Sequence, residues 1–327
     1  KYTQQFGKQQ GKYYVPQRAS AGLDPWATPQ AYDNAKDFFD TGITWSNSLN
    51  VAQMLDKSSY SISLGNTHQD GIISSTGMDR YNVKVSADTK LTSNWSSGFT
   101  ANYITTSIDK AVTSGNGLLR TVYAAPPSYD LAGIPSHVDG NQYAQNSFRG
   151  GFDNAYWAME NNEFTEETNR FFGNVYASYQ TDFGTTNHKL NAKYMVGVDA
   201  YTTHYVDSYG YGSNTGGGRG QIENYGWTNA TYNSLLTINY DWRINEDWGL
   251  NAVVGNEIIQ SNRKKYYEYG TNYNFAGWNH INNATTQLTE EERWKNRTVG
   301  FFGNISASYR NMLYLTLTGR QDYVSNM

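Results

Sequence analysis

Few side chains in this 327-residue chain have a type and spacing that could do chemistry. The chain has no cysteine, which excludes disulfides and thiolate-bound metals. The acidic run Glu290–Glu292 lies beside Arg293 and contains residue types used in acid–base catalysis, but a solvated loop face is the simpler interpretation. The five histidines show no metal-ligand spacing. They are His68, His137, His188, His204 and His280.

Two polar segments resemble ligand loops only superficially. The glycine-rich stretch at 214–220, NTGGGRG, lacks the lysine and the strand-to-helix context of a phosphate loop, and it is typical of a flexible loop tip. The sequence Asp139-Gly140-Asn141 favours a turn over a calcium site. We therefore predict no catalytic residue, no cofactor site and no metal site, and we expect a protein that is not an enzyme.

Aromatic residues are better candidates for a functional role. They make up 15% of the chain, whereas charged residues make up only 17%, below the roughly 25% of ordinary soluble domains. Aromatic faces stack on sugar rings or contact a partner protein, although long loops also need aromatic side chains for their own packing. The candidates in or near long connections are Tyr129, Tyr156, Trp157, Trp227 and Trp278.

The elements that position these residues are strands with period-two alternation. The clearest are two near-repeats, FFGNVYASYQ at 171–180 and FFGNISASYR at 301–310, each with one apolar and one mostly polar face. Ten such strands are predicted. They lie near 44–56, 58–69, 79–91, 94–106, 169–182, 187–203, 226–244, 247–262, 297–310 and 313–324.

The predicted connections alternate between short and long. Short ones are expected at 56–57, 91–94, 182–187, 244–247 and 310–312, and long ones at 70–78, 107–168, 204–225 and 263–296. A soluble sandwich has no reason to collect its long loops at one end, whereas outer-membrane barrels have short periplasmic turns and long extracellular loops. No run of about 18 apolar residues occurs, which excludes a transmembrane helix. The sequence therefore predicts an all-β fold, an antiparallel transmembrane β-barrel.

The barrel prediction gives the chain an orientation and two parts. The first strand ends in a short turn and so runs toward the periplasm, which makes residues 1–43 an extracellular connection and 44–327 a partial barrel. Thr28-Pro29 is a good helix start and Gly42 a good stop, so we expect a short helix between them. Neither end has the features of a natural terminus, and we expect an internal piece of a longer protein.

Several segments resemble the barrel of SusC/RagA-type TonB-dependent outer-membrane transporters of Bacteroidota. Two departures occur: Ala155 stands where the family often has proline, and Gln53-Met54 where it often has two glycines. The segments are FFDTGITWSNSLNV (38–51), SSYSISLGNTHQDGI (58–72), MDRYNVKVSADTKLT (78–92), FDNAYWAMENNEFTEETNRFFGNVYASY (152–179) and LYLTLTGRQDYVSN (313–326).

The resemblance implies about ten of about 22 strands of a plugged barrel, with the plug and the TonB-contacting segment outside this chain. It also implies a SusD-like surface lipoprotein as partner, oligosaccharide or peptide cargo, and dimers of transporter–lipoprotein pairs. Arg320 and Asp322 on the polar face of the last strand would contact the plug or line the lumen, with an internal ion pair as the alternative. The rival interpretations are a passive porin and a soluble all-β glycan-binding protein. A net charge of −4 favours no nucleic-acid partner.

Overall fold

The computed structural model describes residues 11–112 and 117–326, and within them a ten-stranded antiparallel sheet dominates. All ten predicted strands are present. They are β3 (Thr44–Met54), β4 (Ser58–Asp70), β5 (Gly77–Lys90), β6 (Trp95–Asp109), β9 (Glu163–Thr181), β10 (His188–Tyr209), β11 (Gln221–Arg243), β12 (Trp248–Tyr273), β13 (Ala284–Tyr309) and β14 (Leu313–Asn326). Two small hairpins lie outside the sheet. They are β1 (Tyr13–Tyr14) with β2 (Trp26–Ala27), and β7 (His137–Val138) with β8 (Asn141–Gln145).

The strands of the large sheet follow one another in chain order, from β3 to β14, with only β7 and β8 left out. The pairing keeps the same parity across the sheet, so that Val175 of β9 lies directly between Phe99 of β6 and Val196 of β10. Since successive side chains of a strand point to opposite faces, this register gives one continuous apolar face and one continuous polar face.

No part of the described chain forms a layer over the apolar face. Large hydrophobic side chains along it remain exposed in every strand, although exposed apolar patches of this extent are not normal for a soluble protein. Its exposed members include Val51, Ile62, Val83, Phe99, Val175, Val196, Leu236, Val254, Ile305 and Leu317. This pattern fits a sheet whose outer face contacts lipid.

The five short connections are confirmed: they run over 55–57, 91–94, 182–187, 244–247 and 310–312. The lengths predicted for three of the long connections are wrong, because strands continue well past the apolar band. Strands β12 and β13 have 26 residues each and pair up to Tyr273 and Ala284. Their upper halves are polar on both faces, and apolar alternation therefore gave no signal of a strand there. The connections are 71–76, 110–162, 210–220 and 274–283.

The helices are short and lie in the connections. The helix expected from Thr28-Pro29 begins instead at Asn34, because the Asp33 carboxylate accepts a hydrogen bond from the Lys36 backbone N–H at 3.2 Å and caps it. Among the described residues, no helix is long and apolar enough to cross a membrane. The helices are α1 (Pro16–Ser20), α2 (Asn34–Phe38), α3 (Leu118–Ala124), α4 (Ala155–Asn161) and a 3₁₀ turn (Ile281–Asn283).

The main buried core lies among the connections, not in the sheet. We call it the loop core, and residues 11–43, 110–112 and 117–162 supply most of it. Its most buried large side chains are Phe38, Val122, Leu131, Ile134 and Trp157. The long connections of the first half of the chain thus fold as one packed unit at one end of the sheet.

Candidate functional site

The polar face of the sheet carries a group of four aromatic side chains near the end of the long connections. We call Tyr205, Tyr225, Trp227 and Tyr267 the aromatic strip. Direct pairing of Tyr205 with Tyr225, and of Tyr225 with Tyr267, places rings from β10, β11 and β12 side by side.

The rings of the aromatic strip pack on one another. The Tyr205 and Tyr225 rings are stacked, with centroids 4.8 Å apart and planes at 7°. Trp227 meets Tyr205 edge-on at 5.6 Å, and the Tyr267 centroid lies 6.5 Å from that of Tyr225. Rings held in this way form a rigid apolar surface inside a polar face.

Hydrogen-bonding and charged groups border the strip. The Lys110 ammonium lies 4.7 Å from the Tyr205 centroid and 3.5 Å from the Glu166 carboxylate. The Tyr225 hydroxyl donates to the Asp207 carboxylate at 3.0 Å. These groups fix the rings and leave both charge signs at the edge of the strip.

One donor of the strip has no partner. The indole Nε1 of Trp227 is buried and makes no hydrogen bond within the described structure. The Arg263 guanidinium lies 5.4 Å from the rings of both Trp227 and Trp294. A buried, unpaired N–H costs free energy.

Three of the five aromatic residues predicted from sequence pack in or against the loop core. Trp157 is 0% exposed and its indole donates to the Gln142 carbonyl oxygen at 3.1 Å, while Tyr129 is 8% exposed. Tyr156 packs edge-on against Phe38 at 5.3 Å. The side chains of Trp157 and Tyr129 have no free surface for a substrate in this structure, because the loop core surrounds them.

The other two predicted aromatic residues keep accessible surface. Trp227 belongs to the aromatic strip, and Trp278 is 44% exposed at the tip of the 274–283 connection. Trp278 stacks between Phe275 at 5.8 Å and His280 at 5.0 Å. Sequence reasoning missed Tyr205, Tyr225 and Tyr267. No signal in the sequence marked them, because the alternation fades in these parts of the strands.

Arg320 and Asp322 form an ion pair on the polar face of β14. The Arg320 Nη2 atom lies 2.9 Å from Asp322 Oδ1 and 2.8 Å from Glu257 Oε2 of β12. These contacts span three neighbouring strands, which fits the ion-pair interpretation, and a contact with a plug stays a prediction. Within 11–112 and 117–326, no three His, Asp or Glu side chains are grouped to hold a metal ion.

The sequence and the fold were both compared with those of known proteins. No family model matches the sequence. The chain is 23% identical over 323 residues to TonB-dependent receptor P26 of Formosa agariphila, covering 90% of this chain and 30% of that protein. The structure of the RagAB peptide transporter superposes with a TM-score of 0.69 at 15% identity, over 90% of this chain and 33% of that one. The RagAB peptide importer in the "open-open" state gives the same TM-score at 16% identity.

The chain thus spans about a third of the length of the proteins it matches. Their barrel explains its two faces: the apolar face contacts lipid, and the polar face with the aromatic strip lines the interior. The short turns are at the periplasmic end and the long connections at the extracellular end. The comparisons confirm the resemblance to SusC/RagA-type TonB-dependent transporters, and the chain has the fold of part of their transmembrane β-barrel wall.

Proposed function

We propose that the protein containing this wall imports oligosaccharides or peptides across the bacterial outer membrane, driven through TonB. A SusD-like surface lipoprotein would work with it, and transporter–lipoprotein pairs would form dimers. The observation that carries the proposal is the aromatic strip on the interior face. RagAB shares this fold and is described as a peptide transporter, which supports the proposal.

The strip suits a ligand that alternates flat apolar surface with hydrogen-bonding groups. Sugar rings and peptide side chains stack on aromatic faces, and their hydroxyl or carbonyl oxygens accept hydrogen bonds from nearby donors such as the Lys110 ammonium. Asp207, Glu166 and Lys110 at its edge would orient polar groups of the cargo. The work is binding and gated passage, without bond making, and it needs no catalytic residue.

The loop core gives the extracellular end a second role in this proposal. A partner lipoprotein needs a rigid surface, and the packed residues of the loop core provide one. The exposed stack of Phe275, Trp278 and His280 presents flat apolar surface in a neighbouring connection, suited to a partner or to captured cargo.

The test uses two variants of the full-length transporter, Tyr225→Ala and Trp227→Ala. Calorimetry measures cargo binding to each variant, and uptake is measured in cells. We expect binding at least about tenfold weaker, since stacked aromatic anchors carry a large share of binding free energy. Tyr232→Ala, on the lipid face, is the matched control and should leave binding unchanged.

The dependence of uptake on TonB distinguishes an active importer from a passive porin. Uptake should stop in cells without TonB, while cargo binding to the purified protein should persist. Uptake that continues at the same rate without TonB contradicts active import and favours the porin. Unchanged cargo binding in both strip variants contradicts the assignment of the aromatic strip as the binding surface, and leaves active import open.

A further inference from the structure

The outer face of β12 and β13 changes character where the apolar band ends. Above Val299 it carries four cations, and we call Lys264, Arg293, Lys295 and Arg297 the basic patch. Lys264 pairs directly with Arg293 across the two strands, and Lys295 and Arg297 follow at alternate positions of β13. All four therefore lie on the same outward side as Ile305 and Val254.

Little negative charge opposes the basic patch. Glu291 contacts Lys264 at 2.8 Å and Arg293 at 2.6 Å. Arg297 donates to the neutral Gln260 amide oxygen at 3.0 Å, and within the described residues Lys295 has no carboxylate at ion-pair distance. One carboxylate thus faces four cations, and the patch keeps a net positive charge.

A depression of about 530 Å³ lies beside these cations. Its outward lining includes Lys264, Arg293 and Lys295, together with the small side chains of Thr228 and Ala230. The side chain of Arg293 is 73% exposed. The cations are therefore accessible from outside the wall, where they border a shallow recess.

The height of the patch places it in the headgroup layer. Tyr309 marks the periplasmic rim, and at about 3.4 Å per residue and a tilt near 40° Arg297 lies about 30 Å above it. The apolar band of such barrels is about 25 Å tall. The basic patch thus begins just beyond the outer edge of the hydrocarbon region.

The near-repeat shows that this charge is local to β12 and β13. Strand β9 shares the sequence of β13 within the membrane, yet at the positions equivalent to Arg293, Lys295 and Arg297 it carries Glu163, Thr165 and Glu167. These β9 residues lie on the same outward face. Two strands with matching lipid-facing parts therefore present opposite charge to the same layer, and the positive charge is not a general property of the wall.

We propose that the basic patch binds the phosphate groups of outer-leaflet lipid. Lysine and arginine form short charge-assisted hydrogen bonds with phosphate oxygens, and each cation near an anionic lipid surface strengthens attachment. This contact would hold one side of the barrel wall to a phosphorylated lipid, and it is independent of cargo and of TonB.

The test uses the purified full-length protein carrying Lys264→Gln, Lys295→Gln and Arg297→Gln together. Affinity is measured for nanodiscs containing lipid A, and for nanodiscs containing dephosphorylated lipid A. At roughly fivefold per cation, the triple variant should bind lipid A about 100-fold more weakly. Dephosphorylated lipid should bind weakly to both proteins.

Two further variants and a competition measurement make the test specific. Lys84→Gln, Lys189→Gln and Lys193→Gln remove the same charge from the interior face and should leave lipid A binding unchanged. Lys264→Arg with Lys295→Arg keeps the charge and should retain binding, which separates charge from folding. Inorganic phosphate should compete only at far higher concentrations than lipid A.

Five results would overturn the proposal. The first four are wild-type lipid A affinity in the triple variant, an equal loss in the interior control, equal binding of dephosphorylated lipid, and competition by inorganic phosphate at the concentration of the lipid. Loss of a co-purifying lipoprotein with unchanged lipid binding would also overturn it, because the patch would then be a protein contact.

Discussion

Trp248 and Tyr309 lie directly opposite each other at the periplasmic rim, with ring centroids 4.8 Å apart and planes at 43°. The same relationship recurs between Trp95 and Tyr179, at 5.0 Å and 51°. In both pairs the tryptophan opens a strand after a short turn, and the tyrosine comes from the near-repeat in the next strand of the sheet. The wall thus uses one aromatic arrangement twice, at the level where a membrane interface favours amphipathic rings.

The rim pairs predict a measurable coupling. A double-mutant cycle with Trp248→Ala and Tyr309→Ala should give an interaction of about 0.5–1.5 kcal/mol in the free energy of unfolding, since paired rings contribute this beyond their burial. Urea unfolding of the full-length protein in lipid vesicles measures it. Trp95→Ala combined with Tyr309→Ala should be additive, because those rings belong to different pairs. A coupling as large in that cross-pair would contradict direct ring contact.

The near-repeat also gives a matched pair of glycines. A Cβ at Gly173 would collide with the Thr100 carbonyl oxygen and lie 3.0 Å from Ala101 Cα, whereas a Cβ at Gly303 would lie 3.6 Å from the Val253 carbonyl oxygen. We expect Gly173→Ala to lower the free energy of unfolding by about 1–3 kcal/mol and Gly303→Ala to leave it unchanged or raised. Urea unfolding compares them, and equal losses would show that backbone approach does not decide the outcome.

The membrane-spanning part of the fold could be predicted from sequence because lipid imposes a strict alternation. Val175 and Val196 face lipid, while their neighbours Asn174 and Gly197 face inward, and this contrast specifies both strand and register. The short turns followed from the same pattern.

Above the membrane both faces of a strand meet water, and the alternation fades. Prediction from sequence therefore placed the end of β12 too early and the start of β13 too late, and it missed Tyr205, Tyr225 and Tyr267. Trp157 shows a second feature that could not be predicted from sequence. An aromatic residue in a connection can pack or bind, and only the contacts of the folded loop core distinguish the two.

The assignment of the lipid face predicts a strong effect of charge. Val175→Arg should block insertion or lower the free energy of unfolding by about 2–4 kcal/mol, because the guanidinium would enter the hydrocarbon layer near its middle. Val196→Arg, the direct neighbour of Val175, should behave alike. Asn174→Arg faces the interior and is the control, with a small effect expected. Normal insertion and stability of both valine variants would contradict the face assignment.

The loop core holds a tyrosine whose hydroxyl is a liability. The Tyr129 hydroxyl is buried and has no hydrogen-bond partner among the described residues, whereas the Tyr156 hydroxyl donates to the Asp37 carbonyl oxygen at 3.3 Å. Tyr129→Phe should leave the free energy of unfolding unchanged or raise it by up to about 1 kcal/mol, because it removes an unsatisfied polar group. Tyr156→Phe should lower it by about 0.5–1.5 kcal/mol through the lost hydrogen bond.

Alkaline pH provides a second readout for Tyr129. Burial raises the pKa of Tyr129 above its ordinary value of 10.0, and the charge of Asp130 raises it further. Above that ordinary value the unfolded chain releases the proton while the folded protein keeps it, so the free energy of unfolding falls as the pH rises. The Tyr129→Phe variant has no hydroxyl at this position, so its free energy of unfolding does not fall for this reason. The stability advantage of the variant should therefore be larger at about pH 11 than at about pH 8, by roughly 1 kcal/mol in urea unfolding. An advantage that does not grow with pH would mean that the Tyr129 hydroxyl reaches solvent.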